Sequence, residues 1–127
     1  LGNTEVAQLT VNGKIITAGA TPTVVLGAQA TGQGAITAIA GNDTAGNISY
    51  TAGIQALPTN PLSSGGQVSV TFVTPFDQSP RIALTAKDAD SAAMRYYVET
   101  AAEGFVVHFL DAPTAGVTYA FDYIVVQ

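Results

Sequence analysis

Between Ile15 and Phe76 the chain carries one charged side chain, Asp43, in a run written almost wholly in Gly, Thr, Ala, Val, Ile, Ser, Asn and Pro. Monomeric domains usually place Lys, Arg, Asp and Glu at about a quarter of their positions, whereas this chain is 10% charged and 47% hydrophobic. Either copies of the chain hide much of the surface, or Thr, Ser, Asn and Gln keep it in solution. Both alternatives favour a rigid all-β structural or adhesive module over a catalyst.

The 127 residues suffice for one core, which at this length buries roughly two-thirds of the unfolded surface without disulfides or metals. There is no Cys, so neither a disulfide framework nor a thiolate metal site is available. A net charge of −5, with Lys14, Arg81, Lys87 and Arg95 as scattered cations, disfavours nucleic acid and anionic lipid as partners. No apolar run reaches the roughly 20 residues of a membrane span, so no membrane insertion is expected. The chain opens on Leu1 and not on Met, which suggests a fragment or a processed product.

Strands are predicted where apolar residues alternate and turns where Gly, Pro, Asn and Asp gather. In Gln67–Thr74, Val68, Val70 and Phe72 face inward and Gln67, Ser69 and Thr71 outward. Arg81–Lys87 follows with Ile82 and Leu84 inward. Asp88 to Ala93 reads as one helical turn with a carboxylate placed to accept from free backbone amides. Ala93–Ala101 puts Met94, Tyr96 and Val98 on one face and Arg95, Tyr97 and Glu99 on the other. Phe105–Leu110 and the closing strand from Val117 have two apolar faces each. In an antiparallel sandwich the outer face should be wet, so something must cover the second one. The expected cover is a further copy of the chain, through an interface of Val106, His108, Leu110, Ile124 and Val126; the alternative is a twisted strand covered by a loop of the same subunit.

The amino-terminal part is less regular. Leu9–Thr17 is compatible with a hairpin through Asn12-Gly13, and Thr21–Leu26 and Ala35–Ala40 are short β-prone runs. Leu57–Gly66 reads as a loop between strands. The predicted organisation is therefore a shaft-like or intertwined β connector over 1–40 and an antiparallel β-sandwich tip over 41–127, jelly-roll-like and trimeric.

Catalytic and metal chemistry find little support. His108 is the single His, and no Gly-x-Ser-x-Gly sequence accompanies it; a packed or interface role is expected, with a three-fold cluster of His108 side chains as the route to a metal or a pH response. Asp88 and Asp90 lack the Gly and the distal Glu of an EF-hand loop, so capping explains them. Asn42-Asp-Thr and Asn47-Ile-Ser match the glycosylation acceptor pattern, which tight turns already account for. Gly27, Gly32 and Gly34 are not followed by Lys-Ser or Lys-Thr and form no phosphate loop. No cofactor, metal site or catalytic residue is expected. For a ligand, an aromatic side chain with polar neighbours is the usual tool for sugar faces. Tyr97, flanked by Arg95 and Glu99, is the first candidate and Tyr50 the second.

The block Gly41-Asn-Asp-Thr-Ala-Gly-Asn-Ile-Ser-Tyr-Thr-Ala-Gly53, then Val68–Phe76, Ser79–Ala86 and the ending Thr118-Tyr-Ala-Phe-Asp-Tyr-Ile-Val-Val126 resembles a β-rich module at the carboxyl end of bacteriophage tail fibres and other virion surface proteins. The likeness runs from about Gly32 to Gln127. It implies a non-catalytic, homotrimeric β-sandwich on the virion surface that attaches to a host cell-surface glycan or protein receptor. A capsid or tail decoration protein bound to other virion proteins is the first alternative, and a carbohydrate-binding module of a polysaccharide-degrading enzyme the second.

Overall fold

A computed structural model describes residues 5–30, 32–54 and 62–127. Eight strands form two antiparallel four-stranded sheets, and one short helix accompanies them. The first sheet holds β1 (Thr23–Leu26), β4 (Gly65–Thr71), β7 (Gly104–Phe109) and β6 (Tyr96–Ala101), in that order. The second holds β2 (Ile36–Gly41), β3 (Ala45–Thr51), β8 (Thr118–Val126) and β5 (Arg81–Ala86). Within a sheet only β2–β3 and β6–β7 are consecutive neighbours; the chain crosses between sheets at its other connections.

Alternation in the sequence decides what is buried. Val68 and Val70 on β4 and Phe105, Val107 and Phe109 on β7 face Ile48 and Tyr50 on β3 and Tyr119, Phe121, Tyr123 and Val125 on β8. The core is aromatic-rich and packed edge to face: Phe109 meets Tyr119 at 5.1 Å, and Tyr96 meets Phe121 at 4.8 Å. Such pairs add about 0.5–1.5 kcal/mol beyond their area burial.

These pairings yield a sandwich whose winding differs from the expected jelly roll. The orders β1-β4-β7-β6 and β5-β8-β3 are those of the A-B-E-D and C-F-G sheets of immunoglobulin-type sandwiches. Here β3 stands in the place of the last strand and β2 extends that sheet. The reason lies in chain order: the β2–β3 hairpin precedes the strands it flanks. It also moves the start of the sandwich. Both β1 and β2 are hydrogen-bonded into the sheets, so the boundary expected near Gly41 falls on the turn of a hairpin within the fold.

That turn is heavily tied. Gly41 takes φ +112°, a conformation that Gly adopts without steric cost. Asn42 Oδ1 accepts from the backbone amides of Thr44 and Ala45 at 2.9 and 3.1 Å. Tyr123 Oη donates to the Asn42 carbonyl at 2.6 Å. Asp43, the lone charge of the long run, accepts from the backbone amides of Val73 and Thr74 at 2.8 and 2.9 Å, fastening the loop after β4.

The helical turn forms where expected, as α1 (Ala89–Ala93), with Asp88 Oδ1 accepting from the Ser91 amide at 2.7 Å. Ser91 in turn continues the ladder beside β8: its hydroxyl accepts from the Ala120 amide at 2.8 Å, next to the Lys87 amide on the Ala120 carbonyl. Two other expectations change. Gln67 does not face water: the register slips between Gly66 and Val68, and this β-bulge leaves Gln67 fully buried, with Nε2 donating to the Ser63 carbonyl at 2.7 Å. The hairpin at Asn12-Gly13 does not form. Gly13 bends the chain at φ +138°, but no strand pairs on either side. Of the loop expected over Leu57–Gly66, residues 57–61 lie outside the described residues, and Gly65 and Gly66 open β4.

Candidate binding trough on one sheet face

The outward side chains of the first sheet fall into rows set by strand register. Tyr97 stands opposite His108, which stands opposite Gly66; Glu99 stands opposite Val106, Ser69 and, on β1, Val25. The Tyr97 and His108 rings stack, with centroids 4.6 Å apart and planes 4° from parallel. His108 Nε2 lies 2.9 Å from Glu99 Oε2. Half of Tyr97 remains exposed. The remaining Glu99 oxygen has no hydrogen-bond partner among the described residues.

Beside this cluster the face dips into a trough of about 590 Å³. Gly65 and Gly66 form its floor, Val106 and His108 one wall, and Val25 and Leu26 the other. Gln29, Ser69 and Glu99 supply its polar groups. The trough exists because Gly66 has no side chain: a Cβ there would sit 3.3 Å from Val106 Cγ1 and 3.5 Å from His108 Cε1. The far wall comes close because Gly27 is bare as well, its missing Cβ falling 2.4 Å from the Gly66 carbonyl oxygen. A smaller depression of about 230 Å³ continues along the same face from Ser69 and Glu99 toward Thr71 and Gly104.

The structure divides the residues expected to act together. Glu99, read as a ligand contact, lines the trough with Val106 and His108, read as interface, while Tyr97, the other ligand candidate, stands next to the trough on the far side of the His108 ring. Arg95 closes one end of this face with Leu110, whose amide donates to the Arg95 carbonyl at 2.8 Å. Its guanidinium is already engaged, forked onto Asp111, with Nε 2.9 Å from Oδ2 and Nη2 on Oδ1. Hydrogen bonding within this pair raises the arginine pKa and holds the Asp111 carboxyl below its ordinary value. Tyr50 is a correction: it is 1% exposed, edge-on to Phe109 and stacked on Tyr119, and unavailable to a ligand. Burial, then the neighbouring Tyr119, raises its pKa.

Ile124 and Val126 lie elsewhere. They point outward from β8 in the second sheet, on the opposite side of the sandwich from Val106 and His108. One flat interface cannot contain both pairs. Sequence reasoning missed the contributions of Gly66, Val25 and Leu26. The Gly65-Gly66 pair at the head of a strand was the available signal, since Gly inside a strand often marks a bulge or a close approach.

Among the described residues no group of three or more His, Asp or Glu side chains is placed to hold a metal ion, and no helix is long and apolar enough to cross a membrane. Comparison with protein-family models, with curated proteins and with solved structures finds no match.

Proposed function

We propose that this chain is a non-catalytic attachment domain of a virion fibre, working as a homotrimer and binding a host-surface glycan in the trough of its first sheet. The observation that carries this reading is the glycine-floored trough walled by His108, with Tyr97 stacked on the His108 ring beside it and a carboxylate oxygen left over on Glu99. A sugar ring presents an apolar face and a rim of hydroxyls. A half-exposed tyrosine held rigid by its neighbour suits the face, and Glu99, Ser69 and Gln29 suit the hydroxyls. His108 fixes both: it packs against one side of Tyr97 and orients Glu99. Weak individual sites become useful when three copies act together.

Glycan-array binding of the intact protein tests this, with Tyr97→Ala and Gly66→Ala as variants. Both should lose array binding while keeping their melting temperatures within a few degrees, because Tyr97 is half exposed and the Gly66 Cβ meets only side-chain atoms. An unchanged profile for both variants would remove the trough as the binding site. Mass in solution tests the assembly, since a monomer at micromolar concentration contradicts the trimer.

A further inference from the structure

Every described residue from Glu5 to Ala20 is exposed except the half-buried Thr17, and no backbone hydrogen bond ties this arm to the described residues. Yet it carries Val6, Leu9, Val11, Ile15 and Ile16, of which Leu9, Ile15 and Ile16 are 75%, 79% and 86% exposed. Together these five side chains present on the order of 500 Å² of apolar surface, as much as the largest patch on a typical monomer. Among the described residues the arm is hydrogen-bonded to the fold at its end alone, where Asn42 Nδ2 donates to Thr17 Oγ1 at 3.1 Å. At the same side of the sandwich β2 ends its sheet.

The four outer edges of the two sheets are not equal. β5 opens on Arg81, β6 contains Glu99 with Arg95 just before it, and β1 (Thr-Val-Val-Leu) follows directly on Pro22, whereas β2 reads Ile-Thr-Ala-Ile-Ala-Gly. Charges and Pro are the usual guards of a free edge, and β2 has neither. Apart from its ladder with β3, its backbone makes no hydrogen bond among the described residues.

We propose that the arm, residues 5–16, pairs as an added strand with the free edge of β2 in a second copy of the chain. Each partner supplies what the other lacks: a β-prone apolar segment without a ladder, and an unguarded ladder without a next strand. Twelve extended residues reach about 40 Å, ample against the radius of gyration of about 14 Å expected for a domain of this size. Backbone and side chains of such an arm together approach the roughly 800 Å² per partner of a stable interface. Donor and acceptor surfaces differ, so the contact is head to tail and closes into a ring or continues as a filament.

The test uses the absence of cysteine in the chain. Single-cysteine variants Leu9→Cys, Val11→Cys and Ile15→Cys, which span the unknown register, are each mixed with Ala38→Cys and oxidised. At least one mixture should give a covalent heterodimer, and deletion of residues 1–16 should reduce the mass in solution to that of a monomer with the core fold retained by circular dichroism. Mixtures that give no heterodimer, or a truncated chain that keeps the full-length assembly, overturn the proposal. Failure of glycan binding bears only on the trough and leaves this contact untouched.

Discussion

Replacing Tyr123 with Phe should weaken the protein at neutral pH and protect it at alkaline pH. The Tyr123 side chain is 1% exposed, and its hydroxyl donates to the Asn42 carbonyl at 2.6 Å inside the β2–β3 turn. Removing the hydroxyl leaves a buried carbonyl without its donor, at a cost of about 1–2 kcal/mol. Burial, followed by the nearby Asp43 charge, pushes the phenol up to about 12 from its ordinary 10.0. A pKa raised on folding means that the folded state holds the proton more tightly than the unfolded state does. The contribution is complete below pH 10 and fades as pH climbs through 12. Linkage puts the loss at about 1.4 kcal/mol by pH 11 and approaching 3 kcal/mol beyond the folded pKa. The Phe variant lacks this alkaline loss, so the two stability curves should converge near pH 11 and cross above it. Urea unfolding followed by circular dichroism at pH 8, 9, 10 and 11 measures the gap directly. A gap that stays constant across this range would refute the assignment of a folded-state proton to Tyr123.

Three further outcomes follow from other contacts. Tyr50→Phe should be neutral or stabilising by about 1 kcal/mol in the same urea assay, since the buried Tyr50 hydroxyl has no hydrogen-bond partner among the described residues. Gly104→Ala should abolish folding or cost several kcal/mol, because its Cβ would fall 2.0 Å from the Val70 carbonyl oxygen, whereas Gly66→Ala should fold; thermal melts separate the two. On the acid side, the Asp88 pKa is lowered chiefly by its hydrogen bond to Ser91. The stability it adds is present above the ordinary carboxyl value and is lost as pH falls through the lowered one, so Asp88→Asn should show a shallower fall in melting temperature below pH 4.

Side-chain alternation made much of the carboxyl-terminal half legible. Tyr96 turns in to Phe121 and Tyr97 turns out to His108, as their adjacent positions on a strand of period two require. The cap on α1 was readable for a similarly local reason. What stayed hidden depends on where strands lie in space. Period two puts Val106 with His108 and Ile124 with Val126, but says nothing about which sheet each strand joins, and the two pairs proved to face opposite sides. The same limit applies to Tyr50, where alternation pairs it with Ile48 without saying which face is covered. Gln67 was misplaced because one residue of bulge reverses every inside-outside assignment on its side of the slip. Low charge in the first third looked like a connector, yet β1 and β2 are sheet strands there, and only the arm before Thr17 stands apart.

The attachment of that arm has a mechanical consequence. Tension applied through residues 5–16 enters the domain at the contact between Thr17 and Asn42, before it reaches β1. From there Tyr123 carries it into β8 and the Asp43 carboxylate into the loop following β4, so both sheets take up the load at one corner. The single charge in a long neutral run thus sits where a pull on the arm would concentrate its stress, and it works there as a rivet between layers.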